Sequence, residues 1–114
     1  MLSTKAVSGM LTLAVLGLTA GLETKAQAQD YRALWVYSGA INGSFVQNRS
    51  DPSLWTEQNS DATFSFREVY RTSSFVELYD ASRDLTVRLY STVSFIRHPG
   101  TQGRFLFLYH GTWR

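Results

Sequence analysis

The stretch FREVYRTSSFVELYDASRDLTVRLY, residues 66–90, decides the fold, because apolar and polar residues alternate along it between short polar segments. Alternation with a period of two is typical of β-strands, whose successive side chains point to opposite faces of a sheet. The segments RTSS and DASRD interrupt the alternation with residues that favour tight turns. The stretch therefore predicts three antiparallel strands joined by local turns.

The same alternation continues on both sides of this stretch, and Asn42-Gly43 favours a hairpin turn. No segment after residue 28 shows the 3.6-residue apolar period of a helix. Residues 85–97 are long enough for one strand that bends or passes between two sheets. The sequence predicts an all-β domain, a small antiparallel meander of about six to eight strands closed as a barrel or folded as a sandwich. Further strands are expected in residues 31–39, 44–48, 54–58, 62–70 and 104–114.

The first 28 residues resemble a secretory signal peptide, with an early Lys5, an apolar run over residues 6–22 and the small-x-small pattern AQA at residues 26–28. A single membrane anchor is the alternative, but small residues interrupt the run and it is short for a bilayer span. Cleavage would leave residues 29–114 as a single small β domain without a membrane segment. The expected location is secreted or periplasmic.

The composition after residue 28 restricts both stability and partners. The chain has no cysteine, so disulfides cannot supplement the small core. All 16 aromatic residues lie in this part, and each can bury a large area. Nine arginines face eight carboxylates, which does not favour a nucleic-acid partner. With two histidines and no ligand cluster, we expect neither a metal nor another cofactor.

Several aromatic residues flank turns or fall off the apolar faces, where their rings could stack on a ligand. Asp80 opens a turn in which it can accept a hydrogen bond from the backbone, and Arg83 can pair with it across that turn. Alternatively, this turn presents Asp80, Ser82 and Arg83 to a polar ligand. The candidate ligand-binding residues are Trp35, Trp55, Tyr70, Asp80, Arg83 and Tyr90.

Glu68 shares the predicted core face of Phe64 and Phe66, where a carboxylate has to be paired or protonated. Arg71 is predicted on the opposite face, so Arg88 on a neighbouring strand is the expected partner. The alternative is that Glu68 lies at a solvated strand end.

The final GTW, residues 111–113, resembles the Gly-x-Trp signature of lipocalin-like and avidin-like barrels. In those families the signature lies on the first strand, whereas here it ends the chain. The resemblance covers three residues, and no functional residue is carried over from it.

One enzyme resemblance also has to be weighed. Small secreted microbial ribonucleases combine a Glu base, an Arg and a His acid on an antiparallel sheet, and Glu68, Arg88 and His110 resemble that set in chain order. The resemblance implies proton transfer by Glu68 and His110, with Arg88 holding the phosphate. Those enzymes carry a helix before the sheet, which this sequence does not show.

The sequence thus favours an exported binding module without catalytic activity, whose partner is a polysaccharide or a peptide surface. Ring faces stack on the apolar faces of sugars, while Arg and Asp side chains bind hydroxyl groups. A protein-protein interaction or inhibitor module is the first alternative, and the ribonuclease-like enzyme is the second.

Overall fold

The computed structural model describes residues 30–114, and the predicted signal peptide lies outside these residues. Within that range there is no α-helix, and no helical segment is long and apolar enough to cross a membrane. A short 3-10 helix, Pro99–Thr101, precedes the last strand. The described residues form eight strands: β1 Leu34–Tyr37, β2 Gly43–Gln47, β3 Leu54–Asn59, β4 Thr63–Arg71, β5 Val76–Asp80, β6 Leu85–Leu89, β7 Val93–Arg97 and β8 Leu106–Trp113.

Each strand pairs with the next in antiparallel register, and β8 returns to pair with β1, so the sheet closes into a barrel. At the closure Trp35 lies opposite Trp113, and Tyr37 lies opposite Gly111. A Cβ atom on Gly111 would lie 2.6 Å from both the Trp35 ring and the Val36 carbonyl oxygen. The glycine of the GTW segment therefore permits the close approach of the first and last strands. The predicted all-β meander is confirmed, and it closes as a barrel.

The barrel interior is filled by large side chains. Eight strands enclose a space just wide enough for side chains to fill. The alternation along the strands directs most of the apolar residues inward, and Phe66 is buried on the predicted core face. The fully buried core consists of Trp35, Tyr37, Phe45, Trp55, Phe66, Val76, Leu78, Val87 and Leu89.

A bulge in β4 overturns the predicted faces of that strand. The register shifts between Glu68 and Tyr70, because Glu68 lies opposite Leu78 while Tyr70 lies opposite Glu77. The extra residue in a bulge reverses the alternation beyond it. Tyr70 therefore points outward, whereas unbroken alternation with Phe66 and Glu68 would place it on the core face.

The same bulge brings Arg71 to the inner face, opposite the buried Val76. The prediction that Arg71 lies on the opposite face from Glu68 was therefore wrong.

The predicted long strand over residues 85–97 is also corrected, since it is two strands joined by a tight turn at residues 90–92. The backbone N–H of Tyr90 donates to the carbonyl oxygen of Val93 at 2.9 Å. The turn reverses the chain and changes which residues face inward. Ser94 is buried, whereas Phe95 lies opposite Arg88 on the outer face, contrary to the predicted pattern.

Candidate binding surface on the outer wall

A buried polar cluster occupies one end of the barrel interior. The hydroxyl of Tyr37 donates to Glu57 Oε2 at 2.6 Å, and the hydroxyl of Tyr109 approaches the same oxygen at 3.3 Å. The two tyrosine rings stack in parallel with centroids 3.8 Å apart. Burial raises the pKa of Glu57, and burial together with the carboxylate raises the pKa of both tyrosines. These groups bond to one another, so we assign them a structural role.

The buried position of Glu57 was not predicted from the sequence. The signal for it was present, because alternation in LWTEQ places Glu57 on the same face as Trp55.

Glu68 belongs to a second inner cluster. It accepts a hydrogen bond from the Trp55 indole at 2.9 Å, and both of its oxygens accept from Arg71 at 2.9 Å. Glu68 faces the interior as predicted, but Arg71 is its partner and the expected pairing with Arg88 was wrong. The reason is the β4 bulge, which moves Arg71 to the inner face.

A row of residues crosses the outer wall from β4 to β8. The strand register places Tyr70, Glu77, Arg88, Phe95 and Phe107 side by side. Tyr70 and Phe107 end the row and are 46% and 53% exposed, although both are large aromatic residues.

Ring contacts through Phe75 and Tyr90 connect Tyr70 to Phe95 in this row, and Phe107 lies beside Phe95 in the strand register. The centroids of Tyr70 and Phe75 lie 5.8 Å apart, those of Phe75 and Tyr90 5.2 Å, and those of Tyr90 and Phe95 5.5 Å. We call the set of Tyr70, Phe75, Tyr90, Phe95 and Phe107 the outer aromatic surface.

An ion pair lies under the middle of the outer aromatic surface. Arg88 Nε donates to Glu77 Oε1 at 2.7 Å, and the guanidinium lies 4.5 Å from the Phe75 ring and 4.3 Å from the Phe105 ring. Burial alone would lower the pKa of Arg88, but the pairing with Glu77 raises it. Glu77 is almost fully buried although it points outward. The pair and its cation-π contacts thus fix the positions of the surrounding rings.

The turn after β5 has the predicted local structure. Asp80 Oδ1 accepts from the Ser82 backbone N–H at 2.9 Å and from its hydroxyl at 2.6 Å, while Arg83 Nε donates to Asp80 Oδ2. Burial opposes ionisation of Asp80, but the hydrogen bonds from Ser82 and Arg83 lower its pKa. The Arg83 guanidinium stacks 3.9 Å from the Phe64 ring. Arg83 therefore has a defined orientation at the rim of the barrel.

The structure separates the predicted ligand-binding residues into three groups. Trp35 and Trp55 are 0% and 1% exposed, so their rings are part of the core and cannot stack on a ligand at the surface. Tyr70 and Tyr90 both contact Phe75 and belong to the outer aromatic surface. Asp80 and Arg83 line a separate groove at the rim of the barrel, together with Phe64 and Phe66.

Glu68, Arg88 and His110 do not share one cleft. Glu68 faces the barrel interior, whereas Arg88 pairs with Glu77 on the outer wall. The His110 ring lies 4.8 Å from the ring of Phe107. With the carboxylate and the guanidinium on opposite faces of the sheet, this arrangement offers no common site for a phosphate.

Comparisons with protein-family models, with curated proteins and with solved structures gave no match. Among residues 30–114, no three His, Cys, Asp or Glu side chains are grouped so that they could hold a metal ion. The candidate function therefore depends on the geometry of the outer wall.

Proposed function

We propose that the protein is an exported binding module that binds a polysaccharide on the outer aromatic surface. The observation that carries the proposal is the exposure of Tyr70 and Phe107 at the two ends of the row on the outer wall. Ring contacts connect Tyr70 to Phe95, and Phe107 lies next to Phe95 in the strand register. The core consists of nine other buried side chains, and none of the five outer rings belongs to it. Exposed apolar patches of this kind mark interaction sites.

The dimensions of the surface favour a polymer. Tyr70 and Phe107 are four strand spacings apart, about 19 Å along the wall. Because β4 and β8 are separated by four of the eight strands of a closed barrel, a ligand that contacts both rings has to follow the curve of the wall, as a flexible chain of several sugars can. The rings offer apolar faces for stacking, and nearby arginines offer N–H donors for hydroxyl groups.

A protein partner is the second candidate, and one observation favours it. Val69 beside Tyr70 is 52% exposed, so an apolar aliphatic group extends the surface at its β4 end. All eight strands are paired on both sides, so such a partner could not add a strand to an open edge. It would have to dock on side chains.

Export is part of the proposal and rests on residues 1–28, outside the described range. If the leader is cleaved after Ala28, mass spectrometry of protein recovered from outside the cytoplasm should find Gln29 at the N-terminus. Membrane-bound protein that retains Met1 would contradict export by this route and support an anchor.

The binding site can be tested by depletion of the protein from solution with insoluble polysaccharides such as cellulose and chitin. Tyr70→Ala and Phe107→Ala should each weaken retention about ten-fold, the equivalent of roughly 1.4 kcal/mol of lost ring contact. Val46→Ala is the matched control, since Val46 is 41% exposed on β2, outside the outer aromatic surface. The proposal would be contradicted if Val46→Ala weakened retention as much as Tyr70→Ala and Phe107→Ala do, or if the latter two variants were retained like the wild type. Retention by a protein partner but by neither polymer would favour the second candidate.

A further inference from the structure

A second row crosses the outer wall beside the outer aromatic surface. The register places Arg67, Tyr79, Thr86 and Arg97 next to one another on β4 to β7. Tyr79 follows Glu77 by two residues on β5, so this row is the next outward-facing one along the strands. We call these four residues the cationic row. Its two arginines are three strand spacings apart, about 14 Å.

Two hollows flank Tyr79 along the cationic row. A groove of about 560 Å³ on one side is lined by residues that include Arg67, Tyr79, Ser82 and Arg83. A smaller hollow of about 280 Å³ on the other side is lined by residues that include Tyr79, Thr86, Arg97 and His98. Tyr79 therefore forms a shared wall between the two depressions.

The arginines in these hollows keep most of their hydrogen-bonding capacity. A guanidinium has five N–H donors. Arg67 uses Nη1 on the Ser53 hydroxyl at 3.0 Å, and Arg83 uses Nε on Asp80. Arg97 stacks 4.5 Å from the Phe105 ring and donates no hydrogen bond to any residue in the range 30–114.

The smaller hollow adds two further donors. His98 Nδ1 accepts the Gly100 backbone N–H at 3.1 Å, which leaves Nε2 as the N–H of the neutral ring. The buried Thr86 makes no hydrogen bond through its hydroxyl to any residue of the described range, although it lines the same hollow.

The carboxylates near the cationic row already accept protein donors. Asp80 accepts Ser82 and Arg83 through both oxygens. Asp84 Oδ1 accepts the Tyr79 hydroxyl at 2.9 Å, and Asp51 Oδ1 accepts the Ser53 hydroxyl at 2.7 Å. Asp84 also lines the smaller hollow, and within residues 30–114 Asp51 and Asp84 each accept through one oxygen only. The N–H and O–H donors that remain for a ligand still outnumber the remaining acceptors, which suits an anion.

We propose that the polysaccharide is acidic and that the cationic row binds its anionic substituents. This inference rests on the proposed function. One carboxylate or sulfate group binds between Arg67 and Arg83, and another binds at Arg97 beside His98. A sugar ring between them lies on Tyr79. The planar guanidinium matches both kinds of anion with two parallel hydrogen bonds.

The test is affinity electrophoresis of the protein in gels that contain matched polymers. Polygalacturonate is compared with its methyl ester, and dextran sulfate with dextran, so that only the charge differs within each pair. We expect at least one acidic polymer to retain the protein more strongly than its neutral counterpart does. A preference for polygalacturonate would identify the anion as a carboxylate, and a preference for dextran sulfate would identify it as a sulfate. Arg67→Gln and Arg97→Gln should each weaken retention by about ten-fold. Arg104→Gln is the control, because it removes the same charge from an exposed loop position outside both hollows.

Equal retention by the charged and neutral members of both pairs would overturn this inference. An equal loss of retention in Arg104→Gln would also overturn it, because binding would then depend on net charge alone. Tighter binding of single-stranded RNA than of either acidic polymer would overturn it as well. These outcomes leave the proposed function intact if Tyr70→Ala and Phe107→Ala still weaken retention by a neutral polymer. A thermal melt of each variant separates weaker binding from unfolding.

Discussion

The inner and outer walls of the barrel use the same kinds of residue for different purposes. Inside, Trp35, Trp55 and Phe45 are fully buried and fill the space that the strands enclose. Outside, Tyr70 and Phe107 remain half-exposed at the two ends of a row that has an ion pair at its middle. Aromatic content alone therefore does not identify a binding site. The face of the strand decides whether a ring contributes to stability or is available to a ligand.

The largest expected effect is on the inner wall. Trp35→Ala removes a fully buried ring whose Nε1 donates to the Tyr90 carbonyl oxygen at 2.7 Å. We expect a loss of about 3–5 kcal/mol in the free energy of unfolding, measured by denaturant titration. Phe107→Ala on the outer wall should lose less than about 1 kcal/mol. Comparable losses in the two variants would mean that the outer rings are also structural.

A smaller effect is expected at the inner ion pair. Glu68→Gln replaces the carboxylate that Arg71 and the Trp55 indole share, and both side chains of the pair are partly exposed. The loss should be about 1–2 kcal/mol, the range for hydrogen bonds to charged groups. Arg71→Gln should lose a similar amount, and the double variant should lose less than the sum. Strict additivity would show that the pair is not coupled.

The smallest expected effects are on the pH dependence of stability, which should run in opposite directions for Glu57 and Asp80. Burial raises the pKa of Glu57, so its contribution to stability is present below the unfolded value of about 4.3 and is lost as the pH rises towards the folded value. Glu57→Gln should therefore gain stability relative to the wild type as the pH rises from 4 to 7, roughly the window above that unfolded value. Thermal melts across this range measure the difference.

Asp80 is the matched opposite case. Hydrogen bonds lower its pKa, so its contribution is present above about pH 3.9 and is lost as the pH falls through the folded value. Asp80→Asn should therefore lose stability at pH 7 and lose less at pH 3, about one unit below the unfolded pKa. If the stability differences of Glu57→Gln and Asp80→Asn from the wild type changed with pH in the same direction, the opposite pKa shifts assigned to the two carboxylates would be contradicted.

Alternation was sufficient to predict the all-β fold and the inward positions of residues such as Phe66 and Leu78. It failed at the β4 bulge, since a bulge is stabilised by pairing with β5 and leaves no distinct residue pattern in REVYR. It also failed at residues 90–92, where the chain turns at Tyr90-Ser91-Thr92 without glycine or proline.

The candidate site could be predicted only in part. Tyr70 and Tyr90 were named from the sequence, but the row that joins Tyr70 to Phe107 depends on the register of five strands. Trp35 and Trp55 were misassigned as ligand-binding residues, because a strand pattern does not show which face a closed barrel encloses.

The central claim is that ligand binds on the outer wall and not inside the barrel. Two-dimensional NMR with hexasaccharides of cellulose, chitin and polygalacturonate tests it directly. The account predicts that at least one of them shifts the backbone amide signals of Tyr70, Arg97 and Phe107, while the indole N–H signals of Trp35 and Trp55 stay unchanged. Shifts at the two indoles without shifts on the outer wall would place the ligand in the interior and contradict the account, as would the absence of any shift with all three sugars.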